Sequence, residues 1–439
     1  MKPTVLAIPI ALICLSVILS VNVQSAQAIT INSDGTITGT DKIRQEGNVY
    51  TLTDNIIYTI RVGRSNVVID GAGYTLEGNE IEGNGAGLLL FPGVEKVTIK
   101  NLKITNFGTG IRLSGSGNLV TGCTITDCFT GIDLNEASGN IVSENDLIDV
   151  NAGIMIAYSS NNVFRDNKLE NSTLSLDTDG WFNSIDTSNT IDGKPVYYLL
   201  DKKNLTISPT DYPNIGYLAI VNCSNVTVRD LRLSGISFSL VYTTNSTIIH
   251  NSLTNSWHGL QIRDSYGNTV TENYVADNEE FGILISSTIA NTITRNNIEN
   301  NNVGIYLTGS SQIIYHNNFI NNSMHVDSPD WNPLNFMPLP YGMHVWDDDS
   351  PSGGNYWSGF NTTDTNHDGI SDVAYVINQP RNNTDHYPLT NPVSDIPEFP
   401  DEPHETEPFP TLPVATATIV GIVAAAAGFL VYRRRKRIT

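Results

Sequence analysis

Along most of this chain apolar residues alternate with polar ones in short bursts, as in Val97-Thr98-Ile99-Lys100 and Ile111-Arg112-Leu113. That is the period of a strand with one buried face, and nothing between Ser65 and Asn322 carries a helical period. Asn, Gly, Ser and Asp separate the bursts, and these residues accept left-handed backbone or bond their own main chain in turns.

The bursts recur with a period of about 22 residues. Asn118-Leu119-Val120 leads to Gly131-Ile132-Asp133-Leu134, and Asn140-Ile141-Val142 to Gly153-Ile154-Met155-Ile156. Asn268-Thr269-Val270 leads likewise to Gly282-Ile283-Leu284-Ile285, and Asn291-Thr292-Ile293 to Gly304-Ile305-Tyr306-Leu307. No single unit buries its apolar face alone, so the pattern predicts an all-β, right-handed parallel β-helix whose turns bond to the turns above and below. Equivalent positions then stack. Five residues into each unit stand Asn101, Cys123, Asn145 and Asn167, then Asn251, Asn273, Asn296 and Asn317. We expect an asparagine ladder there that satisfies turn groups inside the coil and takes no part in chemistry.

The periodicity lapses twice. Between Asn171 and Asn214, the stretch Thr190-Ile191-Asp192-Gly193-Lys194-Pro195-Val196-Tyr197-Tyr198-Leu199 reads as a hairpin-like insertion. Its aromatics Trp181, Tyr197, Tyr198 and Tyr212 either pack the insertion onto the coil or offer a sugar-stacking surface. After Asn322 the units dissolve into Trp331, Pro333, Phe336, Tyr341, Trp346 and Gly353-Gly354-Asn355-Tyr356-Trp357, the composition of a cap over a solenoid end. The predicted organisation is strands covering the leading edge over 29–64, repeats over 65–322 with the insertion at 171–214, and the cap over 323–392.

The ends differ in kind. Residues 1–28 read as a secretory signal, with Lys2, an apolar run from Val5 to Val21, and Ala26-Gln27-Ala28 as cleavage site. A Pro/Glu-rich stalk over 393–413 precedes an apolar run over 414–432, about the 20 residues that cross a bilayer as a helix. The basic tail 433–439 then predicts a cytoplasmic C-terminus, an extracellular ectodomain and a single membrane pass. Eight acceptor sequons suit that exposure: Asn171, Asn204, Asn222, Asn225, Asn245, Asn321, Asn361 and Asn382. A net charge of -21 argues against nucleic acid. The three cysteines after the signal, Cys123, Cys128 and Cys223, show no disulfide framework.

The sharpest local motif is Asp364-Thr365-Asn366-His367-Asp368-Gly369-Ile370-Ser371-Asp372. Asp364, Asn366, Asp368, Ile370 (through its carbonyl) and Asp372 match the opening positions of a calcium loop, but Tyr375 replaces the closing Glu. Another acid, from Asp347-Asp348-Asp349 or Asp385, would have to complete the shell. A turn rich in Asx residues without metal accounts for the same pattern.

The repeats, the Asp192-Gly193-Lys194-Pro195-Val196-Tyr197-Tyr198 insertion, Gly353-Gly354-Asn355-Tyr356-Trp357-Ser358, and the Asp364 to Asp372 loop followed by Tyr387-Pro388-Leu389 resemble the NosD-like family over most of residues 60–392. That family is described as periplasmic copper-binding, with a parallel β-helix also classed among carbohydrate-binding proteins and sugar hydrolases. The resemblance implies that fold, and a copper or metalloenzyme-maturation role as in the founding members. The order of signal, ectodomain, stalk, apolar segment and basic tail is similar to that of archaeal membrane-anchored surface proteins.

The residues themselves argue against copper. His250 and His316 stand three turns apart, roughly 14 Å at about 4.8 Å per turn, and His258, His325, His344, His367 and His386 are scattered. A glycoside hydrolase or polysaccharide lyase is the enzymatic alternative. Trp257-His258-Gly259 and Gln261-Ile262-Arg263 only echo its motifs, and no paired carboxylates precede them. We therefore assign no catalytic residue and expect a surface module that binds extended polysaccharide or serves as an envelope scaffold.

Overall fold

The computed structural model describes residues 28–78, 85–177, 180–329, 343–378, 383–396 and 399. The expected signal apart from Ala28, the expected membrane segment, the basic tail, most of the expected stalk, Asn382, and Trp331, Pro333, Phe336 and Tyr341 lie outside them. The described residues contain strands and no helix.

The strands form a parallel β-solenoid of about twelve turns. Each regular turn carries three short strands, and each strand pairs in register with its equivalent about 22 residues on. Ile111 stands on Ile132, Ile132 on Ile154, Ile283 on Ile305 and Thr269 on Thr292. The alternation read from sequence is the burial pattern observed: Ile111, Leu113, Ile132, Leu134, Ile283 and Ile285 are wholly buried. At about 25 cal/mol per Å² of apolar surface, this stacked column is the main stabilising term.

Corners form where residues enter the left-handed region, among them Asp127, Asp149, Asn171, Asn222, Asp264 and Asn300. The Gly of Gly-Ile-x-Leu has a different reason. A Cβ on Gly131 would lie 2.4 Å from the carbonyl of Gly153 and 2.5 Å from Leu147, so neighbouring turns leave no room for a side chain.

Side-chain ladders fill the corners. In the first coil Asn118 bonds to Asn140, Asn140 to Asn162 and Asn162 to Asn183, each through its Nδ2 to the next Oδ1 at 3.0–3.1 Å. The second ladder runs from Cys123, whose N–H donates to Asn145 Oδ1, through Asn167 to Asn189. Asn101 is not in it. Lys103 pairs with Thr124, which puts Leu102 under Cys123, while Asn101 takes the exposed left-handed position one residue earlier and donates to Asp70. In the second coil Asn251, Asn273, Asn296 and Asn317 form the predicted ladder. A further one, Asn278 to Asn301 to Asn322, stands beside it.

Residues 29–64 form the opening turn. Ile29–Ile31 pairs in parallel with Ile60–Val62, and the antiparallel strands Ile37–Thr38 and Ile43–Glu46 close the leading edges.

The insertion changes the coil. Asp192 and Gly193, both left-handed at φ 49° and 74°, make a two-residue hairpin turn of the I′ kind, and Ile191 pairs with Lys194 antiparallel. The returning strand Lys194–Leu200 then pairs in parallel with Tyr217–Val221, the first of the second coil's long strands. A 13-stranded sheet results, built from the third strand of each turn before the hairpin and from the first strand after it. The other two sheets of the first coil end here, and two six-stranded sheets begin. At the junction the shared sheet is covered on both faces. Tyr217, Ala219 and Val221 pack into the first core, Leu218 and Ile220 into the second. Trp181 and Tyr198 are buried there and Tyr197 meets Tyr212 edge-on, so the insertion's aromatics pack it onto the coil.

Candidate functional site

The restart of the coil leaves a cleft. Lys203–Ile207 is the first strand of its six-stranded sheet and pairs on one side only. Beside it opens a cleft of about 540 Å³ lined by Asp201, Lys203, Asn222, Cys223, Ser224, Tyr242, Thr244, Asp264 and Tyr266.

Two columns of corner residues build its walls. Asp201, Asn222, Tyr242 and Asp264 stand on successive turns, all left-handed, each N–H bonded to a carbonyl of the next turn at 2.9–3.1 Å. Lys203, Ser224, Thr244 and Tyr266 form the second column, linked by parallel bridges. Left-handed backbone turns the first column's side chains outward, which is why polar residues and a tyrosine occupy it. Tyr242 stacks on Phe182 of the insertion at 5.3 Å, and Tyr266 is 58% exposed. Asn222 Nδ2 donates to Asp201 Oδ1 at 2.6 Å. Cys223 forms the floor. Its thiol donates to the carbonyls of Leu199 and Val221, and burial raises its pKa, so it serves as a ladder rung rather than a nucleophile.

A second polar group stands on the outer face of the 13-stranded sheet. His258 Nε2 lies 2.9 Å from Glu280 Oε2, and its ring stacks on Phe281 at 5.1 Å, which in turn meets Tyr306 at 4.6 Å. Burial lowers the pKa of His258, against the opposing pull of Glu280. These rings face one another along the coil, so their faces are spent on mutual packing.

The calcium-loop residues sit together at the cap surface. Asp364 Oδ2 accepts from Gly369 N–H at 3.0 Å, Asn366 Oδ1 from Asp368 N–H at 3.2 Å and Asp368 Oδ1 from Ile370 N–H at 2.9 Å. Asp372 Oδ2 accepts from Thr365 N–H and Oγ1. Asp385 is drawn elsewhere. It is buried, and Oδ2 accepts from Asn355 N–H and Trp357 Nε1, both at 2.8 Å. Asp347 accepts from His386 N–H.

Copper chemistry needs converging imidazole or sulfur ligands. The histidines have separate partners: His250 at Asp230, His258 at Glu280, His316 at the Ser352 carbonyl, His325 at the Ser358 carbonyl and His386 at Asp347. Cys123, Cys128 and Cys223 are buried, and burial pushes the first two thiols up to about 12 and about 11. Among the described residues no group of three or more His, Cys, Asp or Glu is gathered to hold a metal ion. The described residues do not fit a copper centre.

The repeat pattern does not predict the cleft. Its signal was present as an exposed corner residue recurring at Asp201, Asn222, Tyr242 and Asp264, but which recurrences line a hollow depends on where the coil restarts.

No curated protein matches the chain. Among solved structures it is similar to the periplasmic alginate epimerase AlgG, at 13% identity and TM-score 0.33, over 72% of this chain and 76% of that one. It is also similar to the catalytic domain of a GH87 alpha-1,3-glucanase in complex with tetrasaccharides, at 14% identity and TM-score 0.27, over 69% and 57%. A third likeness is the GH136 lacto-N-biosidase from Eubacterium ramulus, at 11% identity and TM-score 0.25, over 68% and 59%. Residues 41–196 match the family model for the right handed beta helix region, and residues 182–362 that for the periplasmic copper-binding protein (NosD). The two matches meet at the hairpin that joins the coils, and together with the solenoid they support a right-handed parallel β-helix protein that is NosD-like over residues 182–362.

Proposed function

We propose that the chain binds an extended carbohydrate along the cleft at the restart of the coil. One observation carries this reading: the exposed ring of Tyr266 closes a run of Asp, Asn, Ser and Thr side chains along the cleft, with Tyr242, one face of which stacks on Phe182, on the turn before it. Turns about 4.8 Å apart present these groups at a step comparable to the rise of a sugar residue in an extended chain. Tyrosine faces suit the apolar faces of sugars, and amides, hydroxyls and carboxylates suit their hydroxyls. In a chain held at the cell surface by its C-terminal segment, such a cleft suits an envelope or adhesion role.

The cleft geometry speaks against hydrolysis there. Asp201 and Asp264 are three turns apart, roughly 14 Å at about 4.8 Å per turn, whereas paired glycosidase carboxylates stand about 5–9.5 Å apart.

A glycan array probed with the full chain in detergent, followed by product analysis of each hit, tests the reading. Retention without new reducing or unsaturated ends supports it. Product formation would transfer the argument to the enzymatic alternative, and the absence of any retained glycan would end it.

A further inference from the structure

Seven of the eight acceptor sequons lie among the described residues, and each of their asparagines is exposed. Six of them (Asn171, Asn204, Asn222, Asn225, Asn245 and Asn321) are left-handed corner residues, with φ between 46° and 55°. The structure separates them by how each uses Nδ2, the atom that receives a sugar. Asn171 donates through Nδ2 to Asp149 at 2.9 Å, Asn222 to Asp201 at 2.6 Å and Asn225 to Asn204 at 2.6 Å, in each case to the turn below. Asn204 enters its contact only through Oδ1. Among the described residues, Asn245 Nδ2 has no hydrogen-bond partner, and Asn245 Oδ1 is turned toward Gly267.

Asn204, Asn225 and Asn245 form one column on the lip of the cleft, each following a residue of its second wall. Consecutive members are about 4.8 Å apart and alternate ones about twice that. A branched oligosaccharide is wider than a single turn, so adjacent members cannot all carry one while the corner stays closed.

We propose that this corner carries N-linked oligosaccharide at alternate turns, on Asn204 and Asn245, with Asn225 and the cleft residue Asn222 bare. The transfer joins Nδ2 to the anomeric carbon of a phosphate-activated oligosaccharide donor; the C–O bond to phosphate breaks, the phosphate departs with that electron pair, and the amide loses one proton. Two consequences follow from the placement. A bare Asn222 keeps the cleft open to an outside ligand. A sugar chain on Asn204 covers the unpaired edge of Lys203–Ile207, where an added strand would otherwise pair.

The test is intact-glycopeptide mass spectrometry on the full chain produced in a host that N-glycosylates its secreted proteins. Peptides holding Asn204 and Asn245 are expected to carry sugar, and those holding Asn225 and Asn222 to be unmodified. Asn204→Ala removes the acceptor that engages Asn225 and is expected to switch modification to Asn225, whereas Thr206→Ser keeps the sequon and the original pattern. The proposal is overturned if Asn225 or Asn222 is modified as fully as Asn204 in the unaltered chain, if Asn204 and Asn245 are bare, or if Asn225 stays bare in Asn204→Ala.

Discussion

Asn317 donates through its backbone N–H and its Nδ2 to Oδ1 of Asn355, both at 3.0 Å, across 38 positions of sequence. That contact makes the cap the next turn of the coil. Asn355 continues the ladder begun at Asn251, Trp357 stacks on Phe319 at 4.4 Å, and Tyr375 stacks on Trp357 at 4.2 Å. Asp385 then ends the ladder by accepting the Asn355 N–H. A solenoid end has unpaired donors, and here a chain segment from outside the repeat meets them.

Asn355→Ala leaves the buried Asn317 N–H without an acceptor and the carbonyls of Ile314 and Trp346 without the Asn355 Nδ2 donor, while Asn317 Nδ2 keeps the carbonyls of Ile293 and Tyr315. At about 1–3 kcal/mol for each stranded group, the expected loss is roughly 2–4 kcal/mol. Denaturant unfolding measures it, and an unchanged midpoint would mean that the cap does not hold the ladder.

Burial pushes the Asp385 carboxyl up to about 6 from its ordinary 3.8, against the N–H groups of Asn355, Trp357 and Tyr387. The native state therefore holds this proton more tightly than the unfolded chain does. The stabilisation is complete below the ordinary value and is lost as pH rises through about 6, an effect of about 3 kcal/mol. Melting temperatures between pH 4 and 7 are expected to show this fall, and Asp385→Asn is expected to flatten it. An identical slope in the variant would assign the fall to another group.

Gly131→Ala forces a methyl against the Gly153 carbonyl and Leu147. The turns cannot separate without breaking parallel pairs, so a loss of about 2–3 kcal/mol is expected. Gly139→Ala provides the comparison: its φ of 69° strains any Cβ, but no heavy atom lies within 4 Å. It is expected to cost only about 1 kcal/mol. Equal losses for the two would refute the close-approach explanation.

In the cleft, Tyr242→Ala and Tyr266→Ala are each expected to weaken retention of the array's best glycan about tenfold, near 1.4 kcal/mol. Tyr306→Ala, on the stacked outer face, is expected to leave retention unchanged. Isothermal titration of the three variants decides between the two surfaces.

The calcium reading of the loop from Asp364 to Asp372, whose carboxylates form no cluster of three, is tested by melting. Adding calcium to the chelated chain should raise the melting temperature, and Asp364→Ala or Asp368→Ala should abolish the rise. Equal melting with and without the ion would leave the loop as a set of Asx turns.

The sequence by itself determined the turn of the solenoid. Strand period, turn residues and the spacing of about 22 are local and repeated, so the buried column of Ile132 and Ile154 and the ladder from Asn251 to Asn317 could be read without coordinates. Exact register could not. Asn101 and Leu102 differ by one position, and only the pairing of Lys103 with Thr124 shows which of them stacks under Cys123. The tertiary structure decided what lies at the exceptions. The Asp192-Gly193 hairpin reverses one strand, carries the sheet from one coil into the next and leaves Lys203–Ile207 as an open edge. It thereby gathers Asp201, Asn222, Tyr242 and Asp264 into a cleft, and the cap brings Asn355 to Asn317. The physical reason is that hydrogen bonds between turns depend on a repeat present in the sequence, whereas a cleft depends on which turns are missing above it.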